Sequence, residues 1–215
     1  MSKLSMLLIF LFTLSWCNIS HTANSLPVEP EFGRDSSGHS QAADSYYQAV
    51  DIWKTAEDIN KWIARSFIYD KARAIKLSSN QRSKNHGISI YNPADFFEIK
   101  AGICVDLARF GVETLRKIDP NSDPKYLMIK FDPIQINGNT FRLHWLVSFK
   151  RDGMKYFFGD SNRPGYIAGP YIDTQAFVDE YEQYRGRKIV AFRELESYQK
   201  QRKSKKLRKS QFNHF

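Results

Sequence analysis

Apolar residues recur at the helical period in the first part of the chain that shows a regular pattern. From about Ser45 to Phe67 this spacing predicts one amphipathic helix with Asp44 as its N-cap. Trp53 and Trp62 broaden the face that we expect to be buried. The apolar positions are Ile52, Ala56, Ile59, Ile63 and Phe67. The polar stretch 78–90 is expected to form a loop, and Asn92 followed by Pro93 predicts a short helical turn.

A second helical pattern begins at Cys104. Its apolar positions are Ile103, Leu107, Phe110, Val112, Leu115 and Ile118, and Gly102 supplies a flexible residue just before it. Cys104 should therefore lie in the first turn of a buried helix. The unpaired N–H groups and the positive dipole end of that turn favour a thiolate, which suits a nucleophile. Taken alone, a single cysteine on an apolar helix favours a small buried core residue, and only the residues further along the chain favour a nucleophile.

After Asp119-Pro120-Asn121 the apolar period becomes that of strands. Residues 125–132 and 140–149 predict two strands joined around Asn137-Gly138. In the second strand the more apolar face holds Phe141, Leu143, Trp145, Val147 and Phe149, and the other face holds Arg142, His144, Leu146 and Ser148. A third strand is predicted over 154–159, a helix over 173–184 between an Asp173 cap and Gly186, and a last strand over 188–192.

The turn at Arg151-Asp152-Gly153 decides which residue faces His144. A three-residue loop pairs Lys150 with Met154 and sets His144 directly opposite Asp160. A two-residue Asp-Gly turn instead sets Asp160 across from Trp145, on the other face of the sheet. The first register would let Cys104 act as nucleophile, His144 as general base and acid, and Asp160 as the carboxylate that orients the imidazole. Singly, His144 also fits a half-buried strand histidine, and Asp160 a turn-forming residue.

These residues stand in an order that resembles a known family. Gly-x-Cys-x-Asp-x-Ala at 102–108, His-Trp at 144–145 and Gly-Asp at 159–160 together resemble the transglutaminase-like core. Its superfamily includes animal transglutaminases, bacterial transglutaminase-like cysteine proteinases and relatives of papain. The resemblance covers about residues 50–165. It implies an α+β fold in which the Cys104 helix packs on an antiparallel sheet that carries His144 and Asp160.

The same resemblance implies chemistry at amide bonds of a peptide or protein through a thioester on Cys104. Hydrolysis and transamidation share this intermediate, and the single small domain favours proteolysis. The backbone N–H of Cys104 is implied as one oxyanion donor, while the second donor cannot be placed. Asp106, at the acidic position of the family motif, either orients a polar group near the site or makes structural hydrogen bonds. We expect no cofactor and no metal, although a calcium site made of scattered residues stays open.

Residues 1–25 have the features of a signal peptide. A short basic start at Lys3 precedes an apolar run over 6–14 and the small-x-small signal at 23–25. The run is shorter than the roughly 20 residues needed to span a bilayer. We therefore expect export to the periplasm or outside the cell, followed by a linker over 26–43 and a domain over 44–196. Lipidation at Cys17 is the less favoured alternative because Trp16 before it is bulky.

The formal net charge of +9 comes mainly from the end of the chain. The basic cluster is Lys200, Arg202, Lys203, Lys205, Lys206, Arg208 and Lys209; without it and Lys3 the two signs nearly balance. We expect residues 197–215 to form a basic, disordered tail. A tail that docks an envelope-binding protein without catalytic activity to an anionic surface is the alternative. The cluster contains no aromatic residue, which disfavours a nucleic acid partner.

Overall fold

A computed structural model describes residues 43–80, 88–136 and 138–199. Its helices are α1 (Tyr46–Ile52), α2 (Ala56–Ser66), α3 (Lys71–Asn80), α4 (Pro93–Ile99), α5 (Cys104–Ile118) and α6 (Thr174–Arg185). Its strands are β1 (Ile68–Tyr69), β2 (Ala101–Gly102), β3 (Lys125–Ile136), β4 (Asn139–Arg151), β5 (Met154–Phe158), β6 (Ala168–Tyr171) and β7 (Ile189–Leu195). The last five strands form an antiparallel sheet in the order β6-β5-β4-β3-β7, and β1 pairs in parallel with β2. The α+β prediction is confirmed.

The sheet separates two hydrophobic cores, because side chains along a strand alternate between its faces. On one face, Val147 and Tyr126 pack with α5 and with the helices α1, α2 and α4. On the other face, Leu146 and Leu127 pack with α6. The His144 face, expected to be the less apolar one, thus also carries a hydrophobic core.

A glycine on α5 lets this helix approach β4 closely. A methyl group at Gly111 would lie 2.6 Å from Val147 Cγ2 and 3.1 Å from Phe158 Cε2. We expect Gly111→Ala to lower the free energy of unfolding by about 1–3 kcal/mol, because overpacking outweighs the better helix propensity of alanine. Urea denaturation measures this change. An unchanged midpoint would show that α5 shifts away from the sheet at no cost.

The single helix predicted from Ser45 to Phe67 is wrong, since two helices occupy this stretch. The Thr55 side chain accepts a hydrogen bond from Asp58 N–H, and the Asp58 carboxylate accepts one from Thr55 N–H. This reciprocal pair starts a new helix at Ala56. The cap of α1 is Ser45, whose hydroxyl accepts from the N–H of Gln48, and not Asp44.

Other parts of the sequence prediction have mixed outcomes. The first hairpin is confirmed with longer strands, as are α4 from Pro93 and α6 between Asp173 and Gly186. The start of the loop expected over 78–90 is wrong, because α3 runs to Asn80. Strand β6 was not anticipated. Three predicted segments lie outside the described residues: the signal peptide, the linker up to residue 42 and the tail from residue 200. Among the described residues, no helix is long and apolar enough to cross a membrane.

The turn between β4 and β5 has two residues. Arg151 pairs with Met154, while Asp152 and Gly153 have φ angles of 50° and 75°. Positive φ at both central positions defines the type I′ turn that Asp-Gly favours. The three-residue loop, on which the direct pairing of His144 with Asp160 depended, is therefore wrong.

Candidate active site

Cys104 is the first residue of α5, as the sequence predicted, and its thiol is half-buried. The start of the helix is fixed by Asp106, which is fully buried. Its carboxylate accepts hydrogen bonds from Ile103 N–H at 3.1 Å, from Tyr91 N–H at 2.8 Å and from Arg73 Nε at 3.0 Å. Of the two roles left open for Asp106, the structural one fits this geometry, because its oxygens are occupied by the scaffold.

The short β1–β2 pair brings Tyr69 beside the nucleophile segment. Tyr69 is the partner of Gly102 in the parallel pair, and it lines the same surface depression as Cys104. A methyl group at Gly102 would lie 2.8 Å from Phe96 Cε2, so only glycine fits here without a shift. As the first helical residue, Cys104 also has an N–H group with no acceptor inside α5.

His144 lies between Cys104 and Asp160. Its Nε2 atom is 3.4 Å from Asp160 Oδ1, and both residues are buried. Because Nε2 faces the carboxylate, Nδ1 is the nitrogen left to face the Cys104 thiol, whose interaction with the imidazole helps to raise the pKa of His144. The contact between Nε2 and Oδ1 is long and is not aligned as a hydrogen bond.

Asp160 lies beyond the end of the paired strand β5, and from this position it contacts His144. Strand β5 ends at Phe158, which pairs with Val147, and Gly159 then adopts a φ of 79°. This left-handed residue redirects the chain, so the rule that a one-residue slip moves a side chain to the opposite face does not apply beyond it. Asp160 Oδ1 also accepts the N–H of Asn162 at 3.0 Å, as a turn-forming aspartate does. The residue thus starts a turn and faces the imidazole.

Helix α6 supports the carboxylate from behind. The Tyr181 hydroxyl donates to Asp160 Oδ2 at 3.0 Å and accepts from Arg185 Nη1 at 2.7 Å. The Arg185 and Arg163 guanidinium groups each lie 3.7 Å from the carboxylate. The Tyr181 ring also stacks on His144 with 6.2 Å between centroids. Sequence reasoning missed these residues, although the spacing of Tyr181 and Arg185 places both on one face of α6.

These contacts set the charge state of the site. Burial alone would lower the pKa of His144, but its interactions with the Asp160 carboxylate and with Cys104 outweigh burial and raise this pKa from 6.5 to about 9. Burial alone would raise the pKa of Asp160, but His144, the Asn162 N–H and Arg185 lower it from 3.8 to about 2. The site therefore favours an imidazolium held by a carboxylate near neutral pH.

These pKa shifts predict a pH-dependent stability. The raised pKa of His144 stabilises the fold below pH 6.5, and this contribution is lost as the pH rises through about 9. The lowered pKa of Asp160 stabilises the fold above pH 3.8, and that contribution is lost as the pH falls through about 2. As the pH rises from 6.5 through about 9, we expect the free energy of unfolding of wild type to fall by on the order of 3 kcal/mol more than that of His144→Ala. Urea unfolding at a series of pH values measures the difference, and parallel curves would contradict it.

A depression opens beside Cys104. Its enclosed volume is about 80 Å³, and it is bounded by α3 on one side and by β4 on the other. Its apolar lining includes Tyr69, Ala74, Leu77, Phe141, Leu143 and Trp145. Such an apolar wall next to a thiol suits the binding of an acyl group or an apolar side chain. Within the described ranges, no three His, Cys, Asp or Glu residues are grouped to hold a metal ion.

Fold and site together define an α+β protein in which a helix-terminal cysteine meets a histidine and an aspartate held by an antiparallel sheet. The family model described as a transglutaminase-like domain matches residues 40–189. The chain therefore belongs to the transglutaminase-like domain family, as the sequence motifs indicated, and this is a family with cysteine-dependent enzymes. No curated protein matches the chain.

Proposed function

We propose that this protein is a thiol enzyme that acts on amide bonds of a peptide or protein through a thioester on Cys104. The observation that supports this most is the position of His144, which contacts both Cys104 and Asp160 in a buried site. Packing alone does not explain why a buried histidine lies between a thiol and a carboxylate. In keeping with its N-terminal segment, we propose that the enzyme acts after export.

In the proposed reaction, the thiol proton already lies on His144 as an imidazolium before the attack, and the thiolate sulfur of Cys104 attacks the substrate carbonyl carbon. The carbonyl oxygen gains negative charge, which the Cys104 N–H and the Tyr69 hydroxyl stabilise by hydrogen bonds. The imidazolium then gives its proton to the leaving amine as the C–N bond breaks. Asp160, held by Tyr181, keeps the imidazole oriented and stabilises its charged form.

The thioester then reacts with a second nucleophile. Water yields a free carboxylic acid, and an amine yields a new amide, with His144 accepting the proton of the incoming group in both cases. We propose hydrolysis, because the described domain is small and the depression beside Cys104 has an exposed rim. Leu143 on that rim is 38% exposed, which leaves water a route to the thioester.

The test is direct detection of the acyl-enzyme. Purified protein is mixed with N-acetyl-leucine p-nitrophenyl ester, quenched in acid and examined by mass spectrometry. We expect a burst of p-nitrophenol and an acyl group on Cys104 that hydroxylamine removes. Cys104→Ser is the matched control and should show neither. Equal slow release by wild type and this variant would contradict the proposal and favour a binding protein without catalytic activity.

Tyr69 tests the proposed oxyanion site. Burial, followed by the negative charge of a Cys104 thiolate, raises the pKa of Tyr69 to about 12, so its hydroxyl keeps its proton to donate. We expect Tyr69→Phe to lower the acylation rate by about 10²-fold while leaving alkylation of Cys104 by iodoacetamide unchanged, since alkylation creates no oxyanion. Stopped-flow kinetics with the ester and with iodoacetamide separate the two effects. Equal losses in both assays would indicate a packing role instead.

A further inference from the structure

One face of the sheet is only partly covered by α5. In β4, β3 and β7, cross-strand neighbours form rows on this face, and one row lies under the helix: Val147, Tyr126 and Leu195. The next two rows are half-buried or exposed: Trp145, Met128 and Arg193, then Leu143, Lys130 and Ala191. We call these two rows the open face.

The open face is continuous with the site of Cys104. Leu143 and Trp145 line the depression beside the thiol, and the same two side chains line a second, wider depression that extends to Met128 and Arg193. A chain attached to Cys104 therefore has an uninterrupted surface along which to lie. Neighbouring strands are about 4.8 Å apart, so the distance from β4 to β7 matches about three residues of extended peptide.

The open face also has unpaired positive charge. No residue in the described part of the chain forms an ion pair with Lys130 or Arg193, whereas Lys125 nearby is paired with Asp123 and Glu196. Glu194, which directly follows Arg193 in the sequence, alternates to the opposite face of β7 and binds Lys155. Glu196 also lines the wider depression, but it is held by Arg116 and Lys125. An anionic group on a bound ligand would therefore meet two cations, Lys130 and Arg193, that no carboxylate of the described residues already pairs with.

We propose that the open face binds the acyl side of the substrate, which is a peptide with an apolar residue at the acylated carbonyl and a carboxylate two or three residues before it. This inference rests on the proposed thiol chemistry of Cys104. The apolar side chain packs between α3 and β4 against Leu77 and Leu143. The carboxylate lies over Lys130 and Arg193.

Peptidyl acyloxymethyl ketones test this specificity. The Cys104 thiolate displaces the carboxylate leaving group of the probe and forms a stable thioether, so the second-order labelling rate reports recognition of the peptide. Three probes are compared, with the acetylated sequences Glu-Ala-Leu, Lys-Ala-Leu and Glu-Ala-Gly. We expect wild type to react about tenfold faster with the first probe than with the second, and at least tenfold faster than with the third.

Charge reversal gives the decisive comparison. The double variant Lys130→Glu/Arg193→Glu is expected to prefer the Lys-Ala-Leu probe, while Lys54→Glu/Lys61→Glu, with the same charge change on exposed residues of the α1–α2 region, keeps the wild-type preference. Added salt should reduce the preference in both directions. Iodoacetamide labelling should be the same in wild type and in Lys54→Glu/Lys61→Glu. For each protein the preference is expressed as the ratio of its two peptide-probe rates, so a general change in thiol reactivity cancels.

The outcomes separate the two proposals. If iodoacetamide labelling depends on His144 but the peptide preferences are absent or are not reversed, the specificity is wrong and the thiol chemistry stands. If labelling does not depend on His144, the proposed function fails, and the substrate specificity that rests on it fails as well.

Discussion

His144→Ala should slow the reaction of Cys104 with iodoacetamide at pH 6 by about 10²-fold. Iodoacetamide alkylates the thiolate, of which an ordinary cysteine has less than about 1% at this pH, and His144 is the group placed to accept the thiol proton. The difference should become small by pH 9, because a free thiol then also ionises. Rates are measured by mass spectrometry of the Cys104 peptide from pH 5 to 9.

The control for this prediction is the wild-type chain in denaturant, which reports the ordinary thiol over the same pH range. The native wild type should exceed it strongly at pH 6, and His144→Ala should follow it. A native rate that already tracks the denatured chain would show that His144 and Cys104 do not act as an ion pair.

Asp160→Ala is expected to have a large effect on both activity and stability. Loss of the carboxylate removes the orientation of His144 and should lower the rate of ester acylation by about 10²- to 10³-fold. The same change leaves the buried Tyr181 hydroxyl without its acceptor and Arg163 and Arg185 without their counter-charge. We expect a loss of about 2–4 kcal/mol in the free energy of unfolding.

Ester kinetics and urea denaturation give the two readouts, and Asp179→Ala, an exposed aspartate on the same helix α6 that supports Asp160, is the matched control. This control should change neither quantity by much. A stable, active Asp160→Ala protein would mean that the contact with His144 at 3.4 Å has no functional weight.

Local sequence signals predicted the elements that they control directly. The helix from Cys104, the turn at Pro93 and the end of α6 at Gly186 follow from apolar period, proline and glycine placement, each within a few residues of the feature. The break before α2 also had a local signal, Thr55 followed three residues later by Asp58, but the continuous apolar period hid it.

The support of Asp160 had no local signal. Its position depends on the φ angle of Gly159 and on Tyr181, which lies 21 residues further along the chain. Pairing His144 with Asp160 by counting along the two strands assumes that β5 continues as far as residue 160. The structure shows that β5 ends at Phe158, so this pairing does not form. The motif placed Cys104, His144 and Asp160 in one site, whereas the helix that holds the carboxylate could be recognised only in the structure.

The sheet lies between two cores, and the proposed chemistry draws on both. Cys104 comes from the layer built around α5, while Asp160 takes its hydrogen bond from Tyr181 in the layer built around α6. A chain in which only the α5 layer has packed would have Cys104 in place but no active site, because Asp160 would lack the hydrogen bond from Tyr181 and could not orient His144. The proposed activity would therefore require both layers to be packed on the sheet.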